Sequence, residues 1–548
     1  MDINYFIGVD VGTGSARASV VSSQGKLVAL SSCSIKTFNP QSNYYEQSSD
    51  DIWSAVCNVI KKVAHVIPRQ KIKGIGFDAT CSLVALDDQG NPVTVSPTAN
   101  DQHNVILWMD HRAELEANFI NDTKDEILRY VGGKISLEME TPKMLWIKQN
   151  LPDSWYRAKL LFDLPDFLTW RATGSESRSF CSVVCKWNYR AATDGYVGWS
   201  EKFFNKIGLS DLSEDNWRKI GSQVKTPGDP VGSGLSEKAA LEMGLQKGTP
   251  VATSIIDAYA GCLGMIGCTA PGVNKNFSTR LSLICGTSTC HMTISDKELT
   301  VNGIWGPYYN AMIPGYWINE GGQSATGKLL DHIINSHPVT ASVIEKLNGR
   351  VHIQQYLSEL LQSIASKNSL QDVAFLTTDL HVWPDFHGNR SPLAEVELRG
   401  MISGLSLSAT EEDLAILYLA VVQALAYGTK HIIEALKSSG HNIETVLVCG
   451  GLSQNPLFIQ THADVLGLPV LVPTERESVL VGAAILGSCA AGAFPSIHDA
   501  IQAMGGAAHV VAPNNISKRY HEGKYTVFKS MVQDQKRYSS IMRQVADL

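Results

Sequence analysis

The apolar run Ile7-Gly8-Val9 delivers one carboxylate, Asp10, into the small-residue stretch Val11-Gly12-Thr13-Gly14-Ser15-Ala16-Arg17. A carboxylate at a strand end beside such a turn suits a polyphosphate and its cation. Gly12 and Gly14 lack a Cβ, so the backbone can take positive φ there and approach an anion closely. Thr13 and Ser15 add hydroxyl and N–H donors, and Arg17 adds a fixed positive charge. The N–H groups of the turn suit a phosphate, and Asp10 can hold Mg2+ through water. A tight hairpin with an aspartate reads the same way. The turn gains weight from a second one far downstream, Leu281-Ser282-Leu283-Ile284-Cys285-Gly286-Thr287-Ser288-Thr289.

Strands must hold both turns. Residues 5–9, 17–22 and 27–34 read as a three-strand meander, and 53–67 has helical spacing with Ile52, Val56, Val59, Ile60 and Val63 on one stripe. Further strands are expected at 73–77 and 82–86, and a buried one from Val251 to Ile256 that leads into Asp257 and a small-residue helix. The layout restarts near Phe277. Strands at 280–285 and 291–294 flank the second turn, a long helix runs from Glu411 to about Ser438, and a strand at 446–449 ends in Gly450-Gly451. Two copies of one strand-turn-strand plan imply an α/β protein of two domains, 1–265 and 266–548. Val479 to Phe494 is taken as the longest weakly polar run and as a packed helix. Residues 517–548 read as an amphipathic helix that docks on the body through Tyr525, Phe528, Met531 and Val532.

Composition narrows the class. The 548 residues are 44% hydrophobic and 18% charged, as globular chains are, with net charge −7. No basic face is implied, which argues against nucleic acid, and no membrane anchor or signal peptide is expected. Eleven cysteines include no Cys-x-x-Cys pair and read as reduced thiols of a cytoplasmic protein.

Together these ordered motifs resemble the FGGY carbohydrate kinase family. The likeness spans nearly the whole chain: the Asp10 turn, Thr141-Pro142-Lys143-Met144-Leu145-Trp146, Asp257 after its strand, Gly286-Thr287-Ser288, Gly404-Leu405 before the long helix, and Gly450-Gly451-Leu452-Ser453-Gln454-Asn455. The resemblance implies two ribonuclease-H-like (actin-like ATPase) domains facing a central cleft. The first carries the sugar and the catalytic base; the second carries ATP. Asp257 matches the base, Asp10 the Mg2+ residue, and Gly12, Thr13 and Arg17 lie near the transferred phosphate. Gly286 and Thr287 match the β/γ-phosphate turn, joined by Gly327 and Gly404, while Gly450, Gly451 and Asn455 line the adenosine pocket.

On the acceptor side, Asp78-Ala79-Thr80-Cys81-Ser82-Leu83-Val84 looks like the D-ribulokinase branch. Lys186 and Glu320 resemble residues that contact a ketopentose, and Asp110 and Arg112 line or brace the sugar site. The implied reaction is ATP-dependent phosphorylation of D-ribulose to D-ribulose 5-phosphate, with a homodimer implied as well. Rival readings are the same chemistry on L-ribulose, xylulose or a sugar alcohol, a sugar-independent actin- or chaperone-type ATPase, and a catalytically dead sugar sensor. Plainer roles stand beside the functional ones: a helix cap for Asp257, an ion pair for Arg17, a solvated lysine for Lys186, and a bracing pair for Asp110 and Arg112. The 337–371 region matches no motif and is read as an insertion beside the cleft or an oligomer contact.

Overall fold

The computed structural model describes residues 3–191 and 195–546. Of the expected tail, 547 and 548 therefore lie outside the described residues. The first sheet comprises β1 (Tyr5–Val11), β2 (Ser15–Ser22), β3 (Leu27–Ser34), β4 (Ile72–Ala79) and β5 (Ile255–Ile256), in the order β5-β4-β1-β2-β3. The second comprises β6 (Arg280–Cys285), β7 (Thr289–Ser295), β8 (Trp305–Tyr309), β9 (Trp317–Gln323), β10 (Thr445–Gly450), β11 (Val470–Pro473) and β12 (Ala508–Val511), in the order β8-β9-β7-β6-β10-β11-β12. Each contains one five-strand plan, an antiparallel meander followed by two parallel strands: β3-β2-β1-β4-β5 and β9-β7-β6-β10-β11. Both glycine turns are the first hairpin of their sheet.

The local reasons are readable. β1, β4, β6 and β10 are buried almost throughout, as strands covered on both faces are, and even Arg280 and Ser282 of β6 are buried. Helix α1 (Ser49–Ala64) starts four residues before the expected span of 53–67, because Ser48 caps it by accepting from the Asp51 N–H. The strand expected from Val251 shrinks to Ile255–Ile256, preceded by isolated pairing of Val251 with Ile75.

The helices that matter for the site are α2 (Phe180–Lys186), α3 (Asp257–Ile266), α4 (Gly327–Ser336), α5 (Thr340–Leu347), α6 (Ile353–Lys367), α7 (Glu411–Ser438), α8 (Pro456–Leu466), α9 (Ser478–Ala490) and α10 (Lys518–Val545). α3 and α9 cross between the two sheets: α9 lies on β1 and β4, and α3 reaches β6 and β10. Their closeness depends on glycine. A Cβ on Gly264 would overlap the Ser478 carbonyl, and one on Gly482 would overlap the Ala260 carbonyl. Gly8 and Gly76 likewise leave room for the α9 backbone.

The longest apolar helix is α7 and not the Val479–Phe494 run. It is long and apolar enough to cross a membrane, yet most of it is buried, against α4, α6 and α8. α5 and α6 occupy the unmatched region, and Leu357 and Leu361 of α6 join the same core. α10 docks on the body through Tyr525, Phe528, Met531 and Val532, which pack with Trp383 and Tyr427.

Candidate active site

Parallel pairing of β1 with β4 sets Asp10 beside Asp78, and pairing of β4 with β5 sets Ile255 beside Asp78, two residues before Asp257. Asp10, Asp78 and Asp257 thus lie at or just past the carboxyl ends of adjacent strands, the usual ligand edge of an open α/β sheet. Asp78 is fully buried, and neither of its oxygens has a hydrogen-bond partner. Burial first, then the charges of Asp10 and Asp257, hold its carboxyl well above the ordinary range. Asp257 opens α3 and is partly exposed to the cleft, and its Oδ1 accepts from the Ala258 N–H at 2.7 Å. Burial and then the Asp10 charge push its pKa up to about 7, while the Ala258 N–H and Lys186 pull the other way.

Among the described residues, no three His, Cys, Asp or Glu groups converge into a cage for a metal. The orphaned oxygens of Asp78 beside Asp10 nevertheless fit a cation held partly by water and phosphate. Arg17 is engaged on both sides. Its Nε donates to Asp10 Oδ2 at 2.8 Å, Nη2 pairs with the same oxygen, and Nη1 lies 2.7 Å from Glu477 Oε2 at the start of α9. Thr13 sits at the turn, where its hydroxyl accepts from Trp108 Nε1 at 3.0 Å. Neither Gly12 nor Gly14 takes the positive φ expected to be open to it, and Gly286 has none either. What these glycines supply is bareness: a Cβ on Gly14 would meet nothing within 4 Å, and one on Gly12 or Gly286 only a carbonyl at ordinary contact.

The second turn lies against the start of α4. Thr326 N donates to Thr287 O at 2.9 Å and Gly327 N to Gly286 O at 3.2 Å. Gly450 follows at the end of β10, beside Cys285, with φ 86° and no room for a Cβ. Asn455 caps α8, accepting from Phe458 N at 3.2 Å and donating to the Tyr418 hydroxyl at 2.6 Å. A cavity of about 1020 Å3 opens beside Gly451 and Asn455, lined also by Gln354, Ser358, Gln423 and Asp464. Gly286, Thr287, Gly327, Gly450, Gly451 and Asn455 therefore gather on one edge. Gly404 has a different local reason: its φ is 97°, and a Cβ there would overlap the Asp379 carbonyl.

On the acceptor side, Ala79 ends β4 and Thr80 N donates to Val11 O at 3.0 Å. The Cys81 thiol is buried next to Lys186. Lys186, at the end of α2, is buried too, 3.6 Å from Glu320 Oε2 and 4.2 Å from the Trp305 ring. Glu320 also accepts from the Tyr259 hydroxyl at 2.9 Å and from Arg390 Nη2 at 2.5 Å. Burial works against the Glu320 charge, but Lys186 and Arg390 outweigh it and bring its pKa below the ordinary value. Arg112 is a brace. Its Nη2 bonds Asp110 Oδ2 at 2.7 Å and Glu46 Oε1 at 2.9 Å, its Nη1 bonds Val95 O, and its guanidinium lies over Tyr44.

Tyr259, Trp305, Glu138 and Arg390 escape the sequence reading. Arg390 stands in Gly388-Asn389-Arg390-Ser391-Pro392, which reads as turn punctuation; the lone cation inside it was the available signal.

Comparison with known proteins places the chain in a family. The N-terminal domain of the FGGY family of carbohydrate kinases matches residues 5–264, and its C-terminal domain matches residues 281–491. An FGGY carbohydrate kinase domain-containing protein of Xenopus laevis is 51% identical over 98% of this chain and 98% of its own. A D-ribulokinase of Saccharomyces cerevisiae is 39% identical over 90% of this chain and 73% of its own. The crystal structure of a xylulose kinase from Rhodospirillum rubrum superimposes with a TM-score of 0.76 at 19% identity, covering 98% of this chain and 99% of that one. Such a likeness fixes the fold, the two-domain actin-like ATPase architecture.

Proposed function

This chain belongs to the FGGY family of carbohydrate kinases, and from that premise we propose that it phosphorylates D-ribulose with ATP to give D-ribulose 5-phosphate. The chain divides near residue 265, with the acceptor on the first part and the nucleotide on the second. The observation that carries the reading is the placement of Asp257. Its carboxyl stands between the Asp10 turn and the Lys186–Glu320 pair, with a pKa raised to about 7. The choice of D-ribulose is supported by the Thr80-Cys81-Ser82-Leu83-Val84 segment and by the 39% identity to the yeast D-ribulokinase.

Asp257 takes the proton of the terminal hydroxyl as that oxygen bonds the γ-phosphorus and the bond to ADP breaks. Lys186 donates to sugar hydroxyls and to the moving phosphoryl group. The bare turns at Gly12–Gly14 and Gly286 let the phosphates come close to the backbone, although the Gly12 and Gly286 N–H groups themselves donate to Ser15 O and Ser288 O. Asp10, with Asp78 behind it, would hold the magnesium that comes with ATP, whose charge would offset that of the phosphates. Closure of the cleft keeps water from accepting the phosphoryl group.

The test is a panel of ketopentoses and polyols with ATP and Mg2+, following coupled ADP formation. D-ribulose is expected to give the highest kcat/KM. A higher value for xylulose, L-ribulose or a polyol moves the assignment to that acceptor, and ADP release independent of any sugar overturns it.

A further inference from the structure

Glu320 is held from four directions. Tyr259 of α3 donates to Oε2, Lys186 of α2 pairs with the same oxygen, Arg390 donates to Oε1, and Cys290 Sγ of β7 lies 3.8 Å from Oε1. At 3.6 Å, Lys186 is an ion pair and not a hydrogen bond, which leaves its donors for a ligand. Arg390 enters from residues 384–400, between Trp383 and Met401. Its side chain is 7% exposed, and its Nη1 is 3.7 Å from Glu138 Oε2 across the cleft. Its Cζ lies 4.0 Å from the centre of the Trp305 ring, the same indole that Lys186 approaches. Its Nε is buried without a partner.

The strand beneath makes room for it: a Cβ on Gly322 would stand 2.9 Å from Arg390 Cδ. Burying a guanidinium is costly, and a stable core fills such a place more cheaply with apolar side chains. The forked geometry is what a lysine lacks: one group reaches two carboxylates and lies on a ring.

We propose that Arg390 is a positioning residue for the sugar acceptor, fixing the Glu320 carboxylate, and through it Lys186 against Trp305, in the orientation that addresses a polyol. The proposal rests on the sugar kinase reading above. It makes the acceptor pocket a joint product of both sheets, since Glu138 and Lys186 come from the first side and Arg390, Glu320 and Trp305 from the second. Only when the two sides meet is the pocket complete.

The test compares wild type with Arg390→Met and Arg390→Lys, measuring kcat, the KM for D-ribulose, the KM for ATP and the melting temperature of each. Losing one partner of a buried charge pair is expected to raise the sugar KM about ten- to a hundredfold in Arg390→Met. The KM for ATP is expected to stay within about twofold, since the nucleotide edge is untouched. Arg390→Lys should recover part of the loss, by charge without the fork. An unchanged sugar KM in Arg390→Met overturns the proposal. So does a parallel rise of both KM values with a lowered melting temperature, which is general loosening. Wild type without ketose-dependent ADP formation sinks the kinase reading itself and this inference with it, and so is told apart from a failure of Arg390 alone.

Discussion

A base that works near neutral pH needs a pKa close to the working pH, and the environment of Asp257, the proposed base, supplies one through burial and the neighbouring Asp10 charge. In the unliganded enzyme, kcat/KM for the sugar should fall on the acid side with an apparent pKa near 7, because protonated Asp257 cannot accept the hydroxyl proton. An acid limb near pH 4 would show that the carboxyl is unperturbed. The same shift costs stability. Its folded pKa, about 7, lies above its ordinary value of 3.8, so the folded chain holds the extra proton between those limits. Stability from this group is complete below pH 4 and is lost as pH rises through 7. Asp257→Asn removes the charge while keeping the shape. It should lower turnover by about 10^2- to 10^4-fold and, at pH 8, stabilise the fold by about 1–4 kcal/mol, an advantage that vanishes at pH 4. Turnover and thermal melts at the two pH values check this; near-normal turnover removes Asp257 from the base role.

Glycine does two separate jobs in the elements, and substitutions distinguish them. At the crossing of α3 and α9, backbone meets backbone, so Gly264→Ala drives a methyl group into the Ser478 carbonyl and to 2.8 Å from Gly482 N. A loss of about 2–4 kcal/mol in denaturant unfolding is expected. At the first turn, a Cβ on Gly12 meets only Ser15 O at 3.8 Å, so Gly12→Ala should keep stability within about 0.5 kcal/mol and raise the KM for ATP. Equal destabilisation of both variants would contradict the division. This difference marks what the sequence could and could not convey. The turn at Asp10 and the meander around it were legible because apolar runs end in glycine and hydroxyl residues. The start of α1 at Ser48 was less so, since its cap precedes the apolar stripe. The α3–α9 contact was invisible, because Gly264 and Gly482 are 218 positions apart in the numbering and carry no side chain to signal a partner. Arg390 was hidden for a related reason: a cation in a glycine- and proline-marked loop looks solvated until the fold brings Glu320 and Trp305 around it.

At the scale of the molecule, the two sheets are joined rigidly in one place and by charge in another. The rigid join is the glycine-packed crossing of α3 and α9, where backbone meets backbone. The Arg17 bridge links Asp10 of β1 to Glu477 at the start of α9. Both ends of the Arg17–Glu477 pair keep about a third of their side-chain surface exposed, 32% and 29%, so the pair adds little to folding, about 0–1 kcal/mol. Its consequence is directional: it draws the guanidinium toward α9 and away from exclusive pairing with Asp10. Glu477→Gln should therefore leave the melting temperature nearly unchanged while tightening Arg17 onto Asp10, the residue proposed to face the metal. The expected result is a higher Mg2+ requirement for half-maximal rate, with the sugar KM unaltered and the difference shrinking at high salt as the charges are screened. Titrating Mg2+ at fixed ATP and sugar, at low and at high ionic strength, reads this out. An identical Mg2+ dependence in variant and wild type would leave the bridge a passive contact between sheets.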